Sequence, residues 1–190
     1  MAVKEDLRIQ KTKAALFDAF FSMLEEMPFE DLTVNDLCTR ADIRRATFYK
    51  HYTDKFDFLN AATHRLRDIF DTQRWSDSGD FSPVDYYVAY AKRVVSFICE
   101  KEKIVDNMLK SNLLSTMISI ITEQNYLDTK KRLVKSVESG LVLKASVETV
   151  ARMCSGGVAE VIYAWVKDGR KKNAEELAEE IGAIVSAIIS

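Results

Sequence analysis

The segment from Leu32 to Leu59, LTVNDLCTRADIRRATFYKHYTDKFDFL, constrains the fold of this chain more than any other segment. Thr33 is a preferred residue immediately before a helix, and Asp36 can complete a capping box with it. Apolar residues then recur at helical spacing as far as Ala41. Asp42 interrupts them, and because aspartate tolerates the left-handed backbone conformation better than most residues, we expect the chain to reverse there. The segment therefore begins with a short helix and a tight turn.

A second short helix of about two turns is predicted directly after this turn, from Arg44 to His51. Asp54 is expected to cap a third, longer helix that has Lys55 in its first turn. The residues expected to face inward are Ile43, Phe48, Tyr52, Phe56, Phe58 and Leu59. The exposed face of the second helix carries Arg44, Arg45, Lys50 and His51. A short basic helix held by aromatic side chains after a tight turn is typical of a helix-turn-helix DNA reader.

The same segment resembles the DNA-binding domain of the TetR/AcrR family of bacterial transcriptional regulators. The matching pieces are Thr33-Val34, Ala41-x-Ile43, Thr47-Phe48-Tyr49-x-His51-Tyr52 and Asp54-Lys55. The family usually has Gly where Asp42 stands, a small residue where Arg44 stands, and often Gly or Pro at Ala46. The last two departures change the residues nearest the bases, so they bear on the DNA sequence that is recognised.

Two sets of DNA contacts are predicted. The residues nearest base edges are Arg44, Arg45 and Thr47, since arginine at the start of a helix in the major groove can bind guanine bidentately. The residues expected to hold phosphates are Thr33, Tyr49, Lys50, His51 and Lys55. The resemblance implies the phosphate roles of Tyr49, His51 and Lys55, whereas the roles of Arg44 and Arg45 follow from their position and chemistry.

The distribution of charge agrees with a DNA-binding surface on one side of the protein. The 190-residue chain has a net charge of −2. Residues 40–55 contain five Arg or Lys and two Asp, a balance of +3, which leaves −5 for the remainder. A basic patch on an acidic body favours binding of nucleic acid through that patch.

Composition predicts a mostly helical chain that stays in the cytoplasm. The sequence has only 2 Pro and 6 Gly, and it shows neither a secretory signal nor an apolar segment long enough to span a membrane. Its three cysteines are Cys38, Cys99 and Cys154, for which buried free thiols are expected. No cofactor or metal site is predicted, because His51 and His64 lack the spacing of metal ligands. No catalytic constellation is present, so we expect no enzyme.

The predicted fold class is all-α, with a helix-turn-helix domain at 1–54 and a ligand-binding and dimerisation domain at 55–190. A flexible arm is expected at 1–6. The predicted helices cover 7–27, the helix-turn-helix, 55–75, a segment starting at Pro83, 102–109, 112–138 with a break near Asn125, 147–167 and 174–189. A loop is expected at 76–80.

The last two helices predict a two-fold dimer, formed as a four-helix bundle between two copies. The residues expected at this interface are Val150, Cys154, Val158, Val161, Trp165, Ile181, Ile184 and Ile188. Gly156 and Gly157 lie in the middle of one helix, where each costs about 1 kcal/mol relative to Ala. Such a cost is easiest to accept where another backbone packs closely. This end of the chain also resembles the C-terminal domain of TetR-type regulators of Gram-positive bacteria.

A pocket for a small, apolar or amphipathic effector is expected among the helices of residues 84–138, closed by the 55–75 helix. The candidate lining residues are Ile69, Tyr90, Phe97, Met108, Met117, Ile121 and Tyr126. The function predicted is a repressor that binds double-stranded operator DNA and is released by the effector. The alternative is a helix-turn-helix regulator controlled by a protein partner. A third hypothesis, a helical adaptor or small enzyme with an incidental helix-turn-helix, does not explain the basic patch.

Overall fold

The computed structural model describes residues 7–70, 82–111 and 113–189, and the regular structure of these residues is helical. The helices are α1 (Leu7–Leu24), α2 (Val34–Arg40), α3 (Arg45–Phe48), α4 (Lys55–Phe70), α5 (Pro83–Glu100), α6 (Glu102–Lys110), α7 (Leu113–Glu138), α8 (Val147–Lys167) and α9 (Ala174–Ile189), with a 3-10 turn at Phe29–Asp31. The predicted all-α fold class is therefore confirmed. The predicted arm at 1–6, the continuation of α4 to Trp75, the loop at 76–80 and the start of α7 at Asn112 lie outside the described residues.

The chain divides into two compact units. The first contains the described residues up to Arg65 together with Glu102–Met117, and the second contains the described residues of Leu66–Lys101 and those from Ile118 onward. This division differs from the predicted boundary at residue 54, because α6 packs with the helix-turn-helix unit. The Nδ2 group of Asn107 in α6 donates to the carbonyl of Leu24 at the end of α1, at 2.8 Å.

Aromatic side chains form the core of the first unit. Phe20 and Phe48 are fully buried and Phe58 is 2% exposed. The rings of Phe20 and Phe58 meet edge to face with centroids 5.4 Å apart, and Phe48 lies 6.0 Å from Phe58. Phe48 is thus a core residue, as predicted. Phe56, by contrast, is 62% exposed and does not face inward.

The second unit is held by close packing of α5 against α9. A Cβ atom added at Gly182 in α9 would lie 2.6 Å from the Cγ2 atom of Val88 in α5, so the two helices approach more closely than a larger residue at 182 permits. Helix α7 is continuous through Asn125, and the predicted break there is wrong. Asn125 is buried, and its carbonyl accepts from the hydroxyl of Thr129 at 2.6 Å.

The helix starts agree with the capping residues expected from the sequence. The hydroxyl of Thr33 accepts from the N–H of Asp36 at 3.1 Å, and the Asp54 carboxylate accepts from two N–H groups of α4. The same role is filled by Ser82, Ser146 and Asn173 at the starts of α5, α8 and α9. Helix α1 ends at Leu24, three residues before the predicted end.

None of the helices in the described ranges is long and apolar enough to cross a membrane.

The expectation of three buried thiols is wrong for Cys99, which is exposed, whereas Cys38 and Cys154 are buried. Burial raises the pKa of the Cys154 thiol to about 11. No cluster of potential metal ligands occurs among the described residues.

A charged cluster joins α7 to α8 around Glu148. Its carboxylate accepts from the Lys130 ammonium at 2.6 Å, the Tyr126 hydroxyl at 2.5 Å and Arg152 Nε at 3.0 Å. The hydrogen bond from Lys130, followed by that from Tyr126, lowers the pKa of Glu148 from the ordinary 4.5 to about 2. The carboxylate is therefore held ionised in the folded chain far below the pH at which it would protonate when unfolded.

We predict that Glu148→Gln makes the stability of the protein less dependent on acidity. A carboxyl with a lowered folded-state pKa contributes stability that is present above about pH 4.5 and is lost as the pH falls toward about 2. Urea unfolding at a series of pH values should show wild-type stability falling more steeply in this window than that of Glu148→Gln. The matched control is Glu179→Gln, which changes an exposed carboxylate on α9. A pH dependence shared by the wild type and Glu148→Gln would contradict the prediction.

Candidate nucleic-acid interface and apolar cavity

The turn between α2 and α3 depends on a left-handed residue. Asp42 has φ of +54°, the conformation expected for it from the sequence. The N–H of Ile43 donates to the carbonyl of Cys38 at 2.9 Å, and the N–H of Asp42 donates to that of Thr39 at 3.2 Å. These bonds satisfy the last carbonyls of α2 and reverse the chain, as glycine does at many helix ends.

Helix α3 is shorter than predicted. It comprises Arg45–Phe48, with Arg44 in extended conformation at its start, and residues 49–51 continue as hydrogen-bonded turns. One helical turn satisfies few of its own backbone groups, so tertiary packing must hold it. The side chain that does so is Phe48, whose ring also contacts Tyr52 with centroids 5.4 Å apart.

The predicted base-contacting side chains share the exposed side of α3. Arg44 and Arg45 are exposed and Thr47 is half-buried. The guanidinium of Arg45 lies 5.9 Å from the centre of the Tyr49 ring, which gives this long side chain a preferred direction. Their contacts with bases stay a prediction.

The predicted phosphate-contacting residues surround this face. Tyr49 and Lys50 are exposed and His51 is half-buried. Thr33 is exposed at the start of α2, where its hydroxyl donates to the Asp36 carboxylate at 2.5 Å. This arrangement gives Thr33 a capping role in the protein alone, and its phosphate contact is untested.

The basic patch is smaller than the sequence count suggested. Arg40 forms a two-pronged ion pair with the Glu26 carboxylate, at 2.6 and 2.7 Å, so its charge is neutralised within the protein. Arg44, Arg45 and Lys50 form no ion pair within the described part of the chain. These three cations are the charges available to a polyanion.

Lys55 has an internal role that sequence reasoning missed. Its ammonium donates to the carbonyls of Phe29, Glu30 and Leu32, at 3.1, 3.0 and 3.0 Å, and lies 4.7 Å from the centre of the Phe29 ring. Three donors are thereby matched to three carbonyls, two in the 3-10 turn and one in the residue that follows it. Lys55 thus ties the start of α4 to the connection between α1 and α2, and its predicted phosphate contact is not tested.

An apolar cavity lies inside the second unit. Its accessible volume is about 70 Å³, and it is open to solvent on one side. Its lining residues come from the end of α4, from α5, α7 and α8, and are Phe70, Tyr87, Tyr90, Val94, Ile118, Ile121, Thr122, Asn125, Ser155, Val158, Ala159 and Ile162. None of them is charged. Apolar walls with a few convergent polar groups are typical of ligand sites.

Tyr90 and Ile121 are among the residues that line this cavity, and the other five candidates are not; ligand binding stays a prediction. Met108 and Met117 are core residues of the first unit, both 2% exposed, while Ile69 is 52% exposed. Phe97 packs on Phe70, outside the lining, with centroids 5.1 Å apart. Tyr126 lies beneath the Arg152 guanidinium, 3.9 Å from its ring centre. The contribution of α8 to the cavity wall was not predicted, because its apolar stripe was assigned to a dimer interface.

Five of the eight predicted interface residues are instead core residues of the chain. They are Val150, Cys154, Val158, Trp165 and Ile181, each at most 7% exposed. Helical periodicity identified the apolar stripe of α8 but could not distinguish a stripe that faces its own chain from one that faces a second copy. Of the remaining three, Val161 is 39% exposed, Ile184 is 57% exposed and Ile188 is half-buried.

An apolar stripe that includes these three residues lies on the outside of α8 and α9. On α8 it contains Met153, 57% exposed, Gly157 and Val161, which are four residues apart in turn and so share one face. On α9 it contains Ile184 and Ile188. A Cβ atom added at Gly156 or Gly157 would meet nothing within 4 Å, so no close packing within the chain explains these two glycines.

Comparisons with known proteins agree with this architecture. No protein-family model matches the chain. A curated helix-turn-helix-type transcriptional regulator of Bacillus subtilis (strain 168), YxbF, is 38% identical over 61 residues. The match covers 32% of this chain and 16% of the length of that relative.

Solved structures are similar over nearly the whole chain. A TetR-family transcriptional regulator from Syntrophomonas wolfei superposes with a TM-score of 0.73 at 11% identity and covers 95% of both chains. FadR from Bacillus subtilis, in complex with stearoyl-CoA, superposes with a TM-score of 0.70 at 15% identity, covering 93% of this chain and 99% of that one. The chain therefore has the fold of the TetR-family regulators, which confirms at the level of the fold the resemblance noted in its sequence.

We predict that Lys55→Met lowers the free energy of unfolding by about 1–3 kcal/mol, since it removes charge-assisted hydrogen bonds to three backbone carbonyls. Urea unfolding measures the loss. Lys50→Met is the control, because Lys50 is exposed and its replacement should change stability by about 0.5 kcal/mol or less. If Lys55→Met leaves stability intact and instead weakens binding to all DNA sequences, Lys55 acts on phosphate and not on the turn.

Proposed function

We propose that this chain is a TetR-type transcriptional regulator that binds operator DNA as a homodimer and is a repressor released by a small molecule. The observation that carries the proposal is the exposed, unpaired basic face of α3 on a helix-turn-helix in a TetR-type fold. Cations that have no internal partner contribute binding free energy when they meet phosphate or base edges. No reaction is proposed for the chain.

The start of α3 supports a base-reading role for Arg44 and Arg45. A recognition helix places its first residues against base edges in the major groove, and arginine there can donate two bonds to one guanine. Tyr49, Lys50 and His51 follow at the other end of the short helix, where phosphate contacts fix its position. In a two-fold dimer the two α3 helices would read a roughly palindromic site with half-sites about 34–36 Å apart or somewhat more.

The outer stripe of α8 and α9 supports the homodimer. Exposed apolar side chains grouped on one surface are typical of an interaction site, and a two-fold axis places the same stripe on both copies. Two adjacent helices on each copy would form a four-helix bundle. Gly156 and Gly157 would allow the second copy to approach the backbone of α8.

The cavity supports control by a small molecule over control by a protein partner. The described core of the second unit is not filled, and the B. subtilis FadR structure of the same fold was determined in complex with stearoyl-CoA. Helix α4 contributes residues 55–65 to the first unit and Leu66–Phe70 to the second, and Phe70 lines the cavity. An effector that favours one arrangement of α4 must lose affinity when operator DNA favours another.

We predict that Arg45→Ala changes the sequence preference of DNA binding. Loss of one bidentate contact should cost about 1–3 kcal/mol at one base pair of the selected site and little on other sequences. Lys50→Ala should weaken all sequences alike and reduce the slope of log affinity against log salt by about 1. Binding of both variants to a site selected from random DNA, measured by fluorescence anisotropy at several salt concentrations, tests this.

The two variants control for each other, since each removes one exposed cation from the same short segment. Equal, uniform losses for both would show that Arg45 anchors and does not read. A wild-type protein that selects no DNA at low salt would overturn the proposed function itself.

We predict that Ile184→Glu or Val161→Asp converts the homodimer into monomers. Each places a charge within the proposed apolar interface, where burying it without a partner is costly. Val142→Asp is the matched control, because Val142 is 81% exposed between α7 and α8 and lies outside the stripe. Sedimentation at micromolar concentration should show monomers for the first two variants and dimers for the control. A wild-type monomer under these conditions would contradict the assembly.

A further inference from the structure

The cavity wall contains one side-chain amide, that of Asn125, and a hydrogen bond on the side away from the cavity fixes its orientation. Asn125 in α7 is 7% exposed, and its Oδ1 atom accepts from Arg67 Nε at 3.4 Å. Because Arg67 can only donate, the oxygen of the amide must point toward it. The Nδ2 group of Asn125 has no hydrogen-bond partner in the described chain, and Asn125 lines the cavity.

Some of the other polar groups of the wall already form hydrogen bonds within the chain, and others do not. The hydroxyl of Tyr87 lies 2.5 Å from that of Thr129 and 3.1 Å from that of Ser155, and the Ser155 hydroxyl also donates to the carbonyl of Ala151. Thr122, one helical turn before Asn125, has no hydrogen-bond partner among the described residues. The cavity thus has one free donor on Asn125 and one adaptable hydroxyl on Thr122, on the same face of α7.

The positive charge of Arg67, which lies behind the cavity wall, is already neutralised by carboxylates. The Arg67 guanidinium is bonded to the Asp128 carboxylate and lies 3.5 Å from that of Asp68. The arginine is therefore not available to pair with a ligand. An ionised ligand group in the cavity would lose its hydration and find no opposite charge, which is strongly unfavourable. Burial raises the pKa of Tyr87 to about 12, so this hydroxyl is neutral as well.

From this arrangement we propose that the cavity binds an uncharged, slender, mostly apolar molecule through one carbonyl oxygen, which accepts from Asn125 Nδ2 with Thr122 beside it. Ketones, esters and amides belong to this class, and free carboxylates do not. The inference rests on the proposed function for its biological meaning, but the binding chemistry stands on the cavity itself.

The same amide gives a physical route from the cavity to α4. The Asn125 amide would donate from its nitrogen to the ligand and accept at its oxygen from Arg67 of α4. Hydrogen bonds that share one amide polarise each other, and a ligand that draws Asn125 inward changes the acceptor offered to Arg67. Asn125 is therefore a positioning residue for α4 as well as a ligand contact.

Binding to the full-length protein is measured by calorimetry with three probes of similar length. They are methyl pentyl ketone, the alkene in which a methylene group replaces the carbonyl oxygen, and hexanoate at neutral pH. We expect the ketone to bind roughly three- to tenfold more tightly than the alkene, which is the effect of one neutral hydrogen bond, and hexanoate not to bind measurably. Equal affinity for ketone and alkene, or tighter binding of hexanoate, would overturn the inference, as would failure of all three to bind.

The matched variant is Asn125→Asp, which keeps an oxygen for Arg67 and replaces the donor with a second acceptor. It should abolish the preference for the ketone over the alkene, while its thermal unfolding stays cooperative. Thr122→Val should reduce the preference partly. If Asn125→Asp keeps the full preference, Asn125 does not hold the carbonyl.

Two separate measurements distinguish failure of this inference from failure of the proposed function. Selection of a DNA site by the ligand-free protein tests the regulator, and the three probes test the cavity. A protein that selects DNA but does not distinguish the ketone from the alkene would refute this inference alone. A protein that distinguishes them but selects no DNA would refute the proposed function alone.

Discussion

The proposed DNA-reading surface depends on the burial of one phenylalanine. Helix α3 has four residues, and helices shorter than about 12–15 residues are marginal in water on their own. Phe48 is fully buried against Tyr52 and Phe58, and Phe58 in turn packs edge to face on Phe20 of α1. The position of Arg44 and Arg45 is therefore set by an aromatic cluster beneath them and not by the helix that carries them. Truncation of a buried Phe typically costs about 3–5 kcal/mol, so loss of Phe48 would remove the proposed recognition surface together with the core.

The features that could be predicted from the sequence are those that depend on neighbouring residues. Capping by Thr33, Ser82 and Ser146 needs a side-chain oxygen and an N–H two or three residues away, so the pattern is visible in the sequence. The left-handed turn at Asp42 is another example, since the conformation is a property of one residue and its position after a helix. Helix type and order followed from periodicity, which is why the fold class was predicted correctly.

The features that the sequence did not reveal depend on choices that only tertiary packing makes. Lys55 donates to carbonyls more than twenty residues away in sequence, and no local pattern indicates such partners. The apolar stripe of α8 was real, but whether it faces the chain's own core or a second copy depends on where α5 and α9 lie. Met108 and Met117 were expected at the cavity because they lie on the correct helices, yet the structure places both in the other compact unit. Helix assignment alone cannot show which part of a long helix belongs to which core.

Helix α8 connects the cavity with the proposed dimer interface. Its inner face lines the cavity through Ser155, Val158, Ala159 and Ile162, and its outer face carries Met153, Gly157 and Val161. A single helix thus separates a ligand from the second copy of the chain. Gly156 and Gly157 have no side chains on the outer side of α8, at the level of Ser155 and Val158. A displacement of the α8 backbone there would therefore act directly on a closely packed second copy, because no flexible side chain lies between them. If the dimer forms as proposed, a ligand that shifts α8 would also act on the dimer interface. By reciprocity, the state of that interface would then change the affinity of the cavity for its ligand.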